Sequence, residues 1–355
     1  MAIIGVRSPR LVVIDESDQT ASKVELYIWN GNTSTPPASP QYTLSKFIPA
    51  TNNTETVYNI SPYVAEYMTF NEFIPVNSGT IASAYIRQWC QARVKRYKIV
   101  SGVETLLDST DYFCVYSYGE YQEQYNGGGG TYYLKVGTYY YYYDENTTIG
   151  YPGSMFAYLE SGWKVKYTTL QSGSSTSVTV TNGTTGIRQF IACHEDFWSV
   201  GNKVEILNAS NTVQMTWYQR PTTECYYTPL AVDFINRFGV WQRTFMYKAS
   251  RKTLDITSSE FNKMPSTYNY LVTEPQRKTY NVIGTEKISV NTGWVDDTYN
   301  ENTLKQLMLS ETILIDDKPV KLNTKSIEYK TQLNNKNLNY TMEFEYAYNV
   351  ISDVV

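Results

Sequence analysis

Histidine is almost missing from this sequence: His194 is the one example among 355 residues. Zinc sites built from several imidazoles and catalytic histidine pairs are thereby excluded. Charge is also scarce. Asp, Glu, Lys and Arg make up 18% of the chain, against roughly 25% in an average soluble domain. Neutral polar groups must therefore carry much of the surface. Thirty basic and 34 acidic residues leave a formal net charge of -4, so whole-chain charge gives no basis for nucleic-acid binding. The four cysteines, Cys90, Cys114, Cys193 and Cys225, contain no C-x-x-C. They read neither as a metal or redox motif nor as a disulfide framework; three pairings are open to four cysteines, and free buried thiols are the expected state. No apolar run reaches the length of a membrane helix. The opening MAIIGVRSPRLVVIDES lacks the basic start, long apolar stretch and small-residue cleavage site of a secretory signal. The expectation is a cytoplasmically made chain without a membrane partner.

Tyrosine dominates what is present: 34 residues, within an aromatic share of 15%. Tyr, Thr, Val and Ile favour pleated, half-buried surface, and Gly, Pro and Asn punctuate it. The predicted fold class is mainly β: two to three β-sandwich or meander domains with only short helices. Residues 1–119 read as an immunoglobulin- or fibronectin-like sandwich. LVVID and SKVELYIW are strands, Val24, Leu26 and Ile28 alternating with Glu25, Tyr27 and Trp29 in the second. Ser83 to Val100 alternates too, with Ile86, Cys90, Ala92 and Val94 against Arg87, Gln91, Arg93 and Lys95; it reads as a long strand, with a helix as the competing reading. SPYVAEYM is a short helix in which Ser61 can cap and Pro62 fits the first turn.

Residues 120–233 form a Tyr/Gly/Ser-rich β insertion. It carries the run Gly127–Gly130, five consecutive tyrosines (Tyr139, Tyr140, Tyr141, Tyr142, Tyr143), and a Ser/Thr/Gly hairpin from Ser172 to Gly186. Strand side chains alternate faces, so five tyrosine rings cannot all enter one core. Residues 234–355 read as an antiparallel β domain with one short helix. Thr298 to Glu301 has capping-box spacing, and Leu304, Leu307 and Met308 are expected to pack on the last sheet. TILIDDKPVKL is a hairpin, and SIEYKTQL and NYTMEFEYAYNVI complete a meander.

No nucleophile, phosphate-cradling or dinucleotide motif is present, and the sequence assigns no catalytic residue, cofactor or metal. His194, in ACHEDFW, reads as a strand-end residue donating to backbone. The acidic doublets Asp15-Glu16, Glu195-Asp196, Asp296-Asp297 and Asp316-Asp317 read as solvated turns; a carboxylate-dependent glycosidase is the enzyme alternative, with Glu195 and Asp196 its best pair. The aromatic surplus is the positive signal, because Tyr and Trp give large contact area at low entropic cost. Tyr139 to Tyr143 and the strand face carrying Arg93, Lys95 and Tyr97 are therefore candidate interface residues. A second alternative is a receptor- or glycan-binding adhesin or tail-spike component stacking sugars on Trp163, Trp198, Trp217 or Trp294.

Several segments carry a resemblance. INRFGVWQRTFMYK, VNTGWVDDTYNENTLKQLMLSE and KPVKLNTKSIEYKTQLNNKNLNYTMEFEYAYNVI resemble structural proteins of tailed phages of Bacteroides-type hosts, the crAss-like phages included. RSPRLVVIDES, SKVELYIWNG, YTLSKFIP and ISPYVAEYM are similar in flavour to the same group. The resemblance implies a β-rich virion component of the neck, tail or baseplate, assembled in the host cytoplasm as a closed ring. Its partners would be copies of itself and neighbouring neck or tail proteins.

Overall fold

A computed structural model describes residues 2–31, 35–48, 54–70, 79–83, 88–120, 138–142, 154–180, 186–222, 226–264, 268, 271–295, 299, 303–328 and 338–351. These residues are mainly β, in several separate sheets, with two short α-helices. The chain divides into two compact units. Met1–Thr223, Asp233–Thr244 and Glu301–Glu311 form the first; Glu224–Val232, Phe245–Asn300 and Thr312–Val355 form the second.

The first unit opens with β1 (Ala2–Gly5), β2 (Leu11–Ile14), β3 (Ala21–Asn30), β4 (Tyr42–Phe47), β5 (Thr56–Asn59) and helix α1 (Ser61–Tyr67). After β6 (Ile81–Ser83) come β7 (Trp89–Val100) and β8 (Val103–Val115). One sheet has the order β1-β8-β7-β3-β4, and β2 pairs β5 in a second. β1 lies parallel to β8; the other pairs are antiparallel. Val24, Leu26 and Ile28 of β3 meet Cys90, Ala92 and Val94 of β7 in one core, closed by Val12, Ile14, Tyr58 and Val64. The two sheets make a β-sandwich. The strand expected from Ser83 starts at Trp89, because Ile81–Ser83 pairs elsewhere as β6; Ile86 and Arg87 lie outside the described residues. Its period-two burial excludes the competing helix.

Ser61 does not cap α1. The helix begins at Ser61 itself, and its hydroxyl donates to the Ser8 carbonyl (2.7 Å) and accepts the Arg10 amide (2.8 Å). Two backbone groups of the β1–β2 connection thus claim the oxygen that a helix amide would have used.

The middle strands are β9 (Thr138–Tyr142), β10 (Ser154–Leu159), β11 (Lys164–Thr169), β12 (Ser175–Thr179), β13 (Gly186–Ile191), β14 (Asn202–Leu207) and β15 (Val213–Thr222). They form the sheets β10-β13-β6 and β12-β11-β14-β15-β9. A second core, including Leu159, Trp163, Val165, Phe190, Ile206 and Trp217, fills the space between them. The expected turn between β14 and β15 is held by Asn208, whose Oδ1 accepts the Ser210 and Thr212 amides at 3.0 and 2.9 Å.

β16 (Leu230–Ile235) and β17 (Trp241–Met246) each begin in one unit and end in the other. The second unit holds β18 (Arg251–Asn262) and β19 (Arg277–Asn291). Helix α2 (Lys305–Met308) precedes β20 (Ile313–Ile315), β21 (Lys318–Leu322) and β22 (Thr341–Asn349). The ladder of the second unit runs β20-β21-β22-β19-β18. Asp316 and Asp317 both have positive φ (47° and 62°) and form the two-residue turn joining Ile315 to Lys318, the left-handed pair that a tight hairpin requires.

One expectation for this third of the chain is corrected. Residues 326–328 of SIEYKTQL carry no strand; Glu343 is served instead by the Asn323 and Thr324 amides. Helix α2 falls in the first unit together with the ends of β16 and β17 that belong to it. Gln306 accepts the Arg237 amide at 3.0 Å and Lys305 pairs with Glu120 at 3.0 Å, so its polar contacts lie there. The capping-box residues Thr298, Asn300 and Glu301 lie outside the described residues.

Candidate interaction surfaces

The face of β7 that turns away from the first core carries Trp89, Gln91, Arg93, Lys95 and Tyr97. Register sets Lys23 opposite Tyr97, Glu25 opposite Lys95 and Tyr27 opposite Arg93, so cross-strand pairing does the positioning. Arg93 grips Asp111 bidentately at 2.6 and 2.9 Å. The Lys95 ammonium sits 4.7 Å above the Tyr27 ring, and Lys23 sits 4.3 Å above that of Tyr97. The Tyr97 and Tyr27 hydroxyls both donate to Glu25, at 2.9 and 3.0 Å, and Lys23 bridges Glu25 at 3.1 Å and Glu104. The structure thus brings the predicted Arg93, Lys95 and Tyr97 together and adds Lys23, Glu25, Tyr27, Glu104 and Asp111, which sequence reasoning missed. The missing signal was β3, whose polar alternates match those of β7 residue for residue. Three cations face three carboxylates, so the face has no net positive stripe for a phosphate backbone.

Electrostatics follow the pairing. Burial, reinforced by the hydrogen bond to Glu25, pushes the Tyr97 phenol up to about 12. Burial opposes ionisation of Glu25, but hydrogen bonds from Tyr97, Lys23 and Tyr27 prevail and hold its carboxyl below the usual range. Arg93 and Arg96 likewise hold Asp111 and Asp108 below theirs. As pH falls the unfolded chain takes up these protons first, so the stability from both aspartates is complete above about pH 4 and is lost as pH drops through their lowered folded values. Replacing both with asparagine should cost about 0.5–1 kcal/mol per pair at neutral pH, since the pairs are partly solvated. It should also flatten the acid limb of a urea-midpoint profile; an unchanged limb would refute the assignment.

β9, with Tyr139 to Tyr142, ends its sheet and runs parallel to β15, Tyr139 opposite Gln219 and Tyr142 opposite Thr222. The tyrosine side chains, and Tyr143 entirely, lie outside the described residues. The Ser172–Gly186 segment contributes β12, an edge strand, with its tip closed by the Thr169 amide on the Ser174 carbonyl (2.9 Å); residues 181–185 lie outside the described residues.

One exposed β-surface was not read from the sequence at all. β18 is exposed at all twelve positions and ends its ladder. Register identifies its two faces. Lys252 pairs with Ile288, which pairs with Phe344; Leu254 and Ile256 pair with Glu286 and Gly284. Ile288, Val290, Met342 and Phe344 are buried, whereas Leu254 and Ile256 on that same face are 53% and 64% exposed. The core face of the sheet therefore continues beyond its covered part as a strip in which Leu254 and Ile256 are joined by exposed Tyr348 and Val350, with Lys252 and Glu286 on the same face. An alanine-like carbon at Gly284 would sit 3.3 Å from Leu254 and 3.6 Å from Val350, which places both beside it. The opposite face is polar, with Asp255 and Lys287 paired at 2.5 Å. The available signal was the alternation of Leu254 and Ile256 with Thr253, Asp255 and Thr257.

A cavity of about 290 Å³ lies beside β2, lined by Arg10, Val13, Val94, Arg96, Asp108 and Tyr112 among others. Arg96 is committed there to Asp108 and to the Val13 carbonyl (2.8 Å), and Arg10 lies over the Tyr112 ring at 5.0 Å.

The remaining candidates are placed as follows. His194 does not donate to backbone: its Nδ1 accepts the Asp196 amide at 3.4 Å, capping the turn Glu195–Phe197, and its ring packs against Tyr167 and Phe197. Glu195 and Asp196 are exposed on that turn. Trp163 and Trp217 are core residues, Trp198 is half-buried with its indole donating to the Cys193 carbonyl, and Trp294 is 61% exposed. Cys90, Cys114 and Cys193 are free and buried; Cys225 lies outside the described residues. Among the described residues no group of three or more His, Cys, Asp and Glu could hold a metal ion.

No family model matches the chain, and neither does any curated protein or solved structure. Fold and surfaces together define a class: a mainly β protein with two sandwich cores in its first unit and an exposed β-ribbon in its second.

Proposed function

We propose that this chain is a non-enzymatic virion protein of a tailed phage, a subunit that closes with its own copies into a ring of the neck or tail. The observation that carries the reading is the apolar strip on β18 and β22. A contiguous apolar surface that continues a core face is the kind of surface a partner covers. The resemblance of the first and last thirds to virion proteins of phages of Bacteroides-type hosts supplies the context, the host cytoplasm being the place of assembly. Tyr139 to Tyr142 at a sheet edge, with Tyr143 next in sequence, and the Arg93, Lys95 and Tyr97 face serve as further contact surfaces between subunits or with neighbouring neck and tail proteins. Light scattering on the purified chain, with negative-stain images of the same sample, tests it. Closed rings are the expected result, and a compact trimer would overturn the ring in favour of a spike.

The exposure of Trp294 favours a second reading, a glycan-binding adhesin. Saturable binding on a glycan array that disappears in Trp294→Ala would establish it in place of the ring.

A further inference from the structure

We propose that β18 is a self-complementary edge: two copies of this chain join along it, antiparallel about a two-fold axis, so that one sheet runs across the contact. This goes beyond the ring reading, because a ring closes through head-to-tail contacts, whereas here the same strand of each copy meets itself.

Exposed edges are ordinarily kept short, or interrupted by proline or a bulge, so that they do not pair. β18 is not shortened or interrupted in these ways, and what guards its edge is charge: Arg251, Lys252, Asp255 and Glu260. It is twelve residues long and contains no proline. Its ladder with β19 does shift, from Thr257 opposite Ile283 to Ser259 opposite Tyr280. The extra residue falls in β19, where Asn281 has φ 50°, so the alternation of β18 is unbroken.

The side chains then select the partner and the register. Leu254 and Ile256 lie on the face that continues the core, so two apolar strips merge only if even-numbered residues face even-numbered residues. The charges of β18 are polarised, with Arg251 and Lys252 at its start and Glu260 near its end. Neither Lys252 nor Glu260 forms an ion pair among the described residues; the Lys252 ammonium lies 5.8 Å over the Tyr346 ring of its own sheet. Antiparallel pairing with Ile256 opposite its own copy sets Lys252 against Glu260 of the second copy, twice by symmetry, and Asp255 against Thr257. Like charges nowhere meet. A shift one way sets Asp255 against Asp255; a shift the other way takes Lys252 away from Glu260; parallel in-register pairing sets Lys252 against Lys252. Opposed charges directly across a sheet are favourable and like charges unfavourable, so one arrangement is selected, and its occupant is this chain itself.

Sedimentation velocity on the full chain tests this with Lys252→Glu, Glu260→Lys and the double reversal. Each single reversal turns two attractive pairs repulsive and should weaken two-fold association by about tenfold or more. The double reversal restores both pairs with opposite polarity and should recover association close to wild type, which a variant that merely misfolds would not do. A wild type that does not self-associate, single reversals that associate as the wild type does, or a double reversal that fails to recover would each overturn the proposal. Negative-stain images of the same samples score rings separately. Rings that persist in the single reversals leave the ring reading standing, and two-fold pairs without rings remove that reading alone.

Discussion

Trp89→Ala is expected to destabilise the first unit by about 3–5 kcal/mol, the range for removing a large aromatic side chain from a packed interior. Trp89 is 1% exposed. Its ring stacks on Phe113 with centroids 4.6 Å apart, and Phe113 meets Tyr158 of β10 edge-on at 5.3 Å. Two glycines complete the slot. A β-carbon added to Gly31 would lie 2.2 Å from the indole, and one added to Gly186 of β13 would lie 2.6 Å from it. The tryptophan therefore fills the place where the β7 sheet meets the β13 sheet. Urea unfolding followed by tryptophan fluorescence and by circular dichroism measures the loss. A change below about 1 kcal/mol would mean that the slot relaxes and that the two sandwiches are not joined through this ring. Gly186→Ala attacks the same joint from the other side, by overpacking, at about 1–3 kcal/mol.

Asp233→Asn should be comparably damaging. Asp233 on β16 is fully buried, and Arg243 on β17 clasps both its oxygens at 2.8 and 2.7 Å. Removing the carboxylate takes from this largely buried guanidinium the buried counter-charge that clasps it in two places, which costs about 3–5 kcal/mol. Replacing both members by apolar residues of similar volume should recover most of that loss, because the pair itself returns little beyond its own desolvation. A double-mutant cycle separates the two statements. A single variant as stable as wild type would contradict the pairing, and a double variant worse than either single would contradict the desolvation argument.

What was legible in the sequence is what period-two burial dictates. β3 and β7 declare themselves because their apolar alternates face one core, and the Asn208 and Asp316-Asp317 turns because their residues tolerate or cap the required backbone. What failed shares one cause: the sequence states that a residue is apolar or polar, but not what arrives opposite it. Ser61 was available to cap until Ser8 and Arg10 reached it first. Trp163 and Trp217 look like sugar platforms in composition and are core in fact. β18 was missed for the opposite reason, since its alternation is real but runs past the end of the core it belongs to. At the Arg93 face the cations could be read, whereas the carboxylates that neutralise them come from β3 and β8 and emerge only once the register is known.

The thiols of Cys90 and Cys114 face each other across β7 and β8, deep in the first sandwich. Burial, with the Cys114 thiol beside it, pushes Cys90 far from ionising, and both sulfurs are shut from solvent, and so from an alkylating reagent, while the sheet is closed. Their modification is thereby tied to the opening of that sheet, and the rate at which a reagent consumes them becomes a clock for how often the first sandwich breathes.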